Sequence, residues 1–310
     1  MLEVKNLKKT FKKTVAVEDV DLYIEEGESV GLLGPNGAGK STTISMISTL
    51  LPPTKGTIKY KGKDVLKNPD ELRPILGVVP QDIAIYGELS AYANMKFFGK
   101  IYGLSGSQLE KKIQEILELV GLSDRQKDVV DTYSGGMKRR INIAVALMHN
   151  PEFLIMDEPT VGIDPQSRNY ILNMVKRLNG EKGITILYTS HYMEEVEKLC
   201  DRVYIMDHGR IIASGTKEEL KNILSNEETI VIEVAERKQA FTDLLVSQKG
   251  INQVAEEENN YQLIVSKGDQ LLGEIFEQAR QTNVKIKSIH IQTPTLEDVF
   301  LHLTGRKLRD

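Results

Sequence analysis

The chain has 310 residues, of which 40% are apolar and 27% charged, so it can form two globular domains with cores of their own. Its formal net charge of −4 argues against a protein that binds nucleic acid regardless of sequence, because such proteins are usually basic. No apolar run approaches the roughly 20 residues that cross a bilayer, no secretory signal segment is seen, and the single Cys200 cannot form an internal disulfide. We therefore expect a protein of the reducing cytosol that meets a membrane only through another chain.

Strand and helix patterns alternate through the first part of the chain. Apolar residues alternate at 15–24 and run together at 29–33, which predicts two strands. The spacing at 41–51 predicts a helix, because apolar residues recur at helical intervals and the two prolines that follow cannot continue it. A short hairpin strand is expected at 56–62.

The segment 86–150 has a helical character, and we interpret it as a subdomain. Apolar residues between Leu109 and Val120 recur at the spacing of one helix face, and Gly121 is placed to end that helix. A second helix is predicted at 137–149. The aromatic residues early in this segment are expected to lie mostly in the core, and they are Tyr86, Tyr92, Phe97, Phe98 and Tyr102.

Strand signals return at 153–156, 184–189 and 203–206. Between the first two, a helix is predicted to begin with Asp164 as N-cap and Pro165 as the first helical residue. Strands that alternate with helices indicate an α/β fold with a largely parallel sheet and helices on its faces.

From about residue 226 the pattern starts again. The predicted order is β-α-β-β-α-β, which is typical of a small α+β domain with the ferredoxin-like arrangement. We therefore predict a first domain at 1–225 and a C-terminal accessory domain at 226–310. The strands of the second domain are expected at 229–234, 252–256, 261–265 and 284–291, and its helices at 238–248 and 271–281.

Residues 34–41 fit the phosphate-binding pattern Gly-x-x-x-x-Gly-Lys-Ser in full, between a predicted strand and a predicted helix. Glycines let the backbone N–H groups turn toward phosphate oxygens, and the helix N-terminus adds a positive dipole end. Lys40 supplies a point charge for the β- and γ-phosphates, and Ser41 can ligate Mg²⁺. The alternative, a glycine-rich turn before a chance Lys-Ser pair, is disfavoured by this context. The expected nucleotide contacts are Gly34, Pro35, Asn36, Gly37, Ala38, Gly39, Lys40, Ser41 and Thr42.

Two adjacent carboxylates follow the apolar strand at 153–156. A buried strand rarely ends in a carboxylate unless a cation lies there, and ligands of open α/β sheets bind at the carboxyl ends of strands. We expect Asp157 to hold Mg²⁺ through water. Glu158 faces the other way and is expected to orient the attacking water. A solvated Asp-Glu-Pro turn is the alternative, and the nearby phosphate loop disfavours it.

The segment Tyr133-Ser134-Gly135-Gly136-Met137 resembles the signature loop of ABC transporter ATP-binding subunits, which usually reads Leu-Ser-Gly-Gly-Gln. The resemblance covers about residues 1–225, and it implies a P-loop NTPase fold with a helical subdomain. It also implies that Ser134, Gly135 and Gly136 complete the ATP site of a second subunit.

Further matches to the same family give roles to single residues. Phe11 resembles the aromatic residue that stacks on adenine, and Gln81 resembles the glutamine that touches Mg²⁺ and the membrane partner. His191 resembles the switch histidine that contacts the γ-phosphate, and residues 162–165 resemble the loop at the dimer interface. The resemblance thus implies Lys40, Glu158 and His191 as catalytic residues, with Ser41, Gln81 and Asp157 as metal ligands.

Tyr133 and Met137 depart from the usual signature, and together with the segment 293–300 they resemble the daunorubicin-resistance-type branch of ABC-2 exporters. This branch implies an ATPase that uses ATP and Mg²⁺, forms a homodimer or heterodimer, and powers export through a separate membrane permease. It implies a peripheral position on the cytoplasmic face of the membrane. Helix 86–102 is expected to bear the permease's coupling helix.

Three other functions compete with transport. A DNA-repair or chromosome ATPase is disfavoured, because no long coiled coil separates Lys40 from Asp157. A translation-type ATPase is disfavoured by the single phosphate loop. A soluble ATPase that acts as a nucleotide-gated switch without transport is the remaining alternative.

Overall fold

The computed structural model describes residues 1–190, 192–224, 227–257, 259–266, 271–292 and 295–304. These residues form two compact units, of which the first spans Met1–Lys217 and the second begins at Glu218. The domain boundary expected near residue 226 lies slightly later in the chain and stays a prediction.

Two sheets form the framework of the first unit. Strands β1, β2, β4 and β5 form a sheet in the order β2-β1-β4-β5, and the others form a six-stranded sheet in the order β10-β9-β3-β8-β7-β6. In the larger sheet every neighbouring pair is parallel except β9 and β10. The strands are β1 (Leu2–Phe11), β2 (Thr14–Ile24), β3 (Ser29–Leu33), β4 (Lys55–Tyr60), β5 (Lys63–Asp64), β6 (Leu76–Val79), β7 (Phe153–Asp157), β8 (Thr185–Thr189), β9 (Arg202–Asp207) and β10 (Arg210–Thr216).

Helices connect the strands of the larger sheet, as the alternating pattern predicts. Three of them, α2 to α4, lie in the segment between β6 and β7 and form the predicted helical subdomain. The helices are α1 (Lys40–Ile47), α2 (Ala91–Ile101), α3 (Gly106–Leu119), α4 (Gly135–Ala146), α5 (Pro165–Lys182) and α6 (Met193–Leu199), and short 3₁₀ turns lie at Pro69–Glu71, Arg73–Ile75, Ser123–Arg125 and Val130–Thr132; α7 (Lys217–Lys221) and a turn at Asn222–Leu224 follow β10 where the second unit begins. Together with the parallel sheet they form the predicted α/β fold.

The central strands explain where the core of the first unit lies. Every residue of β3, β7 and β8 is buried, which fits strands of a parallel sheet that are covered on both faces. Because these strands run parallel, their carboxyl ends lie on one edge of the sheet. The loops that follow them carry the candidate site.

Local signals set several helix ends. The Asp164 side chain accepts a hydrogen bond from the Ser167 backbone N–H at 2.9 Å and caps α5, as the sequence predicts. Gly121 has a φ of 64° after α3, which suits a residue that ends a helix. In contrast, α1 stops at Ile47 rather than at 51, because Thr49 takes up the left-handed conformation with a φ of 61°.

The expectation that the aromatic residues of 86–102 lie in the core is wrong. Tyr86, Phe97 and Tyr102 are 51%, 41% and 43% exposed, respectively. The face that α2 buries contains smaller side chains, which are Ala91, Asn94, Met95 and Gly99. On the exposed side the ring of Phe97 lies 5.1 Å from that of Tyr86 and 5.3 Å from that of Phe98, measured between centroids. We call Tyr86, Phe97 and Phe98 the aromatic patch.

The second unit has the predicted ferredoxin-like arrangement. Its sheet has the order β12-β13-β11-β14 with antiparallel neighbours throughout. The rings of Phe241 and Tyr261 meet edge to face at 5.2 Å in its core. The elements are β11 (Glu227–Val234), α8 (Gln239–Ser247), β12 (Ile251–Glu257), β13 (Asn260–Ser266), α9 (Leu272–Gln281), β14 (Ile286–Gln292) and α10 (Leu296–Thr304).

Among the described helices, none combines the length and the apolar character that a membrane span needs.

Candidate active site

The loop between β3 and α1 is shaped by close approaches that only glycine permits. A Cβ atom on Gly34 would lie 2.3 Å from the carbonyl oxygen of Met206. A Cβ atom on Gly39 would lie 2.5 Å from the carbonyl oxygen of Ala16, and Gly39 also has a φ of 104°. The loop therefore packs directly against the backbone of β2 and of β9, with α1 beginning at its end.

Lys40 lies at the first position of α1 and is almost fully buried. Its ammonium donates hydrogen bonds to the carbonyl oxygens of Gly34 at 2.7 Å and Pro35 at 3.2 Å. It also lies 3.8 Å from Oε1 of Glu158. Burial lowers the pKa of Lys40, while the carboxylates of Glu158 and Asp157 act in the opposite direction. The structure thus brings one cation and two predicted carboxylates together.

Thr189, at the end of β8, holds the carboxylate of Asp157 and the backbone of Glu158. Its hydroxyl donates a hydrogen bond to Oδ1 of Asp157 at 2.7 Å and accepts one from the backbone N–H of Glu158 at 2.9 Å. All three residues are buried. Glu158 has a φ of 48°, which an L-residue adopts at a cost of about 1–3 kcal/mol. Because of this conformation, the backbone at Glu158 no longer follows the direction of β7.

Oxygen donors suited to Mg²⁺ lie on this edge of the sheet. Ser41 is exposed in the first turn of α1, and the Asp157 carboxylate ends β7. Across the described ranges no group of three His, Cys, Asp or Glu side chains is placed to hold a metal. The donor set therefore fits a cation that takes a few oxygens from the protein and the rest from water and phosphate.

Gln81 follows β6 and reaches the same edge, because β6 runs parallel to β7. Its backbone carbonyl accepts a hydrogen bond from the Arg139 guanidinium at 2.6 Å, and the carbonyl of Pro80 accepts another at 2.9 Å. The Asn142 side chain also accepts from the Ala84 N–H at 3.1 Å. Arg139 and Asn142 belong to α4, so this helix holds the loop that carries Gln81.

The predicted signature residues lie at the start of α4. The Ser134 hydroxyl accepts a hydrogen bond from the Met137 N–H at 3.3 Å and caps the helix. Ser134 and Gly135 are exposed, whereas Gly136 is buried, and a Cβ atom there would lie 2.1 Å from Oγ of Ser167. The described hydrogen bonds of Ser134 stay within its own helix. The structure thus presents this loop to the outside and does not bring it to the phosphate loop of the same chain.

The remaining predicted residues lie at the margins of the site. Phe11 is exposed at the end of β1, with the Lys9 ammonium 5.1 Å from its ring centroid, on the hairpin whose second strand touches Gly39. Thr42 is half-buried in the first turn of α1, next to Ser41. His191 lies outside the described residues, so its predicted role stays a prediction.

Sequence reasoning missed three residues that shape the site, which are Thr189, Arg139 and Glu195. Each acts on residues far away in the sequence, as Arg139 does on Pro80. Glu195 is fully buried on α6, and a buried carboxylate needs hydrogen-bond donors around it. The helix reads Met-Glu-Glu-Val-Glu-Lys-Leu, so no local signal distinguishes Glu195 from the other two glutamates. The sequence alone does not say which donors these are.

Comparisons with known proteins cover both units. The family model for ABC transporter matches residues 17–161, and the model for ATP-binding protein DrrA1-3-like, C-terminal domain, matches residues 215–304. The linearmycin resistance ATP-binding protein LnrL of Bacillus subtilis (strain 168) is 48% identical over 100% of both chains. The daunorubicin/doxorubicin resistance ATP-binding protein DrrA of Streptomyces peucetius is 35% identical, over 100% of this chain and 94% of the relative.

A solved structure matches the first part of the fold. It is the dimeric post-hydrolysis state of the ATP-binding cassette MJ0796 bound to ADP and Pi, with a TM-score of 0.65 and 29% identity. The match covers 70% of this chain and 98% of that one. The likeness therefore spans a whole cassette.

Replacing Gly39 with Ala tests the phosphate loop. The new Cβ atom would meet the Ala16 carbonyl, and the φ of 104° is unfavourable for alanine, so we expect the affinity for ATP to fall about thirtyfold. Equilibrium titration with a fluorescent ATP analogue measures this. Gly180→Ala, on α5 with no atom within 4 Å of the new Cβ, is the matched control and should bind as the wild type does. Equal affinities of both variants would contradict the assignment.

Proposed function

The chain belongs to the ABC transporter family as an ATP-binding and ATP-hydrolysing subunit, and on that premise we propose that it is one half of a nucleotide-driven clamp that powers export. The predicted family and its daunorubicin-resistance-type branch are confirmed by matches over both units. The observation that carries the proposal is the convergence of Lys40, Asp157 and Glu158 on one sheet edge beside the glycine loop. The switch without transport finds no support in the comparisons.

The proposed phosphate site follows from the loop and its lysine. The backbone N–H groups of residues 34–41 and the Lys40 ammonium would hold the phosphates, and the exposed ring of Phe11 would stack on adenine. Ser41, Asp157 and Gln81 would hold Mg²⁺. When bound, this cation offsets the charge on the β- and γ-phosphate oxygens.

Glu158 is the proposed group that orients the attacking water. Its carboxylate is buried beside Lys40, so its position is fixed, and phosphoryl transfer depends mainly on positioning and on charge stabilisation. His191 is proposed to contact the γ-phosphate, in line with the family resemblance.

The exposed position of Ser134 supports a composite site made by two chains. A serine and glycines at a helix start offer hydroxyl and N–H donors for an anion, and here they face outward. We propose that the Ser134 loop of one subunit closes over ATP held by its partner, in a homodimer or a heterodimer. Binding of ATP then favours the closed dimer, and hydrolysis lets it open.

The aromatic patch supports contact with a membrane-spanning partner. Exposed aromatic rings that touch one another are typical of interaction surfaces, since their apolar area is removed from water when a partner binds. We propose that a short cytoplasmic helix of a separate permease docks here, which places this chain on the cytoplasmic face of the membrane. The relatives are resistance proteins by name, which favours export, and the permease selects the cargo.

Replacement of Glu158 by Gln tests the catalytic carboxylate. The amide keeps the shape but cannot act as a base, so we expect ATP binding to persist while phosphate release falls about a hundredfold or more. The variant should accumulate as an ATP-bound dimer in size-exclusion chromatography. Glu152→Gln, exposed just before β7, should hydrolyse ATP at the wild-type rate. A Glu158→Gln variant with that rate would show that Glu158 is not the catalytic carboxylate.

Replacement of Ser134 by Arg tests the composite site. The larger side chain should block closure of the dimer and abolish phosphate release, while a monomer still binds ATP with wild-type affinity. Ser134→Asp should do the same through charge repulsion and keeps a side chain that can cap α4. Ser107→Arg, on the exposed start of α3, is the control. If affinity and hydrolysis decline together in both Ser134 variants, the site is not shared between subunits.

Replacement of Phe97 by Ser tests the docking surface. The isolated chain should keep its ATPase rate, because Phe97 is exposed and remote in sequence from the site residues, but it should no longer co-purify with the transporter's permease. Lys100→Ser, exposed on the same helix, should co-purify normally. Undiminished co-purification of Phe97→Ser would place the permease elsewhere.

A further inference from the structure

Glu195 on α6 is a fully buried carboxylate that accepts hydrogen bonds from four side chains. Its Oε2 accepts from the hydroxyls of Thr160 at 2.8 Å, Tyr188 at 2.9 Å and Ser190 at 2.6 Å. Its Oε1 accepts from Nε of Arg168 at 2.6 Å. The donors come from the loop after β7, from β8 and its following residue, and from α5.

These bonds join segments that carry proposed catalytic residues. Thr160 lies two residues after Glu158. The Ser190 hydroxyl, which donates to Glu195, also accepts a hydrogen bond from the Tyr192 N–H at 2.9 Å. Ser190 and Tyr192 flank position 191 in the chain, so both neighbours of that position are tied to one carboxylate.

Arg168 strengthens the same connection from α5. Its guanidinium carbon lies 4.0 Å from the ring centroid of Tyr192, while its Nε bonds to Glu195. The ion pair therefore also holds the residue after position 191. Arg168 lies in the first turn of α5, directly after the loop at 162–165, which the family resemblance places at the dimer interface.

Stability alone is a weak explanation for this arrangement. Burial removes the hydration of an ion pair, and the attraction between the two charges offsets this cost in free energy only in part. Apolar residues of similar size often give equal or greater stability. What apolar residues cannot give is a fixed geometry in which one acceptor sets the positions of four donors. The arrangement therefore favours a role in positioning.

We propose that Glu195 is a positioning residue that holds the loop of Glu158 in a fixed relation to Ser190 and Tyr192, so that the water-orienting carboxylate keeps its place during turnover. The inference rests on the site roles proposed above. It assigns to Glu195 no contact with ATP. Loss of its charge should therefore impair turnover and leave the binding of ATP to the monomer intact.

Glu195→Gln tests this in the full chain, because the amide keeps the size of the side chain and removes the charge that faces Arg168. We expect kcat for phosphate release to fall about tenfold or more with the Kd for ATP close to wild type, while the midpoint of thermal unfolding falls because Arg168 loses its charged partner. Glu194→Gln, exposed on the same helix, is the matched control and should keep the wild-type kcat.

Thr160→Val removes a single donor and carries the test if Glu195→Gln does not fold. Its kcat should also fall, and combining it with Glu195→Gln should cost less than the product of the two separate effects, since both break one network. A wild-type kcat in Glu195→Gln, or in Thr160→Val where only that variant folds, overturns the inference. A parallel loss of ATP affinity, kcat and unfolding midpoint also overturns it, because that pattern indicates a structural role.

Glu158→Gln measured in the same series separates this inference from the proposed site roles. If Glu158→Gln is inactive while Glu195→Gln has the wild-type kcat, the positioning role fails and the site assignment stands. If Glu158→Gln hydrolyses ATP at the wild-type rate, the site assignment fails and the positioning role fails with it.

Discussion

The ammonium of Lys40 and the carboxylate of Glu158 face each other across 3.8 Å in a part of the protein from which water is nearly excluded. A buried charge is costly unless it is paired, so this contact fixes what else can surround it. Asp157 adds a second carboxylate, and one lysine does not balance both. The excess of negative charge suits a ligand that arrives with a divalent cation. The glycine loop, with N–H donors at a helix start, suits the phosphates of the same ligand.

The position of the Ser134 loop fits the proposed site shared with a second chain. Lys40 and the carboxylates lie on the edge of the sheet, and the loops after β3 and β7 bound them from within one subunit. Ser134 lies outside this boundary, exposed at the start of α4. That helix reaches back to the site through Arg139 and Asn142, which hold the loop that carries Gln81. A conformational change in α4 can therefore be coupled to the nucleotide without direct contact in the same chain.

The sequence predicts the features that depend on local residue patterns. It misses the features that depend on contacts between segments distant in the chain. The α/β fold and the ferredoxin-like unit follow from periodicity, and both are confirmed. Strand β1 was missed because Asn6, with a φ of 48°, and a register shift interrupt its alternation. The aromatic residues of α2 were misplaced because close packing selects small residues, as at Gly99, where a Cβ atom would lie 2.4 Å from Leu109. The hydrogen bond from Thr160 to Glu195 joins two segments that only the fold brings together, so no local sequence pattern predicts it.

The central claim is that two chains share each ATP site, and mixing two inactive variants tests it most directly. Lys40→Ala removes the phosphate lysine and keeps the Ser134 loop, whereas Ser134→Arg does the reverse. In a mixed dimer the phosphate loop of the second variant meets the intact Ser134 of the first and restores one complete site. The substituted position 134 then faces the site that Lys40→Ala leaves without ATP, so no bound phosphate is there to obstruct. The account predicts that each variant alone releases no phosphate and that the mixture does. A mixture that forms mixed dimers and remains inactive would contradict it.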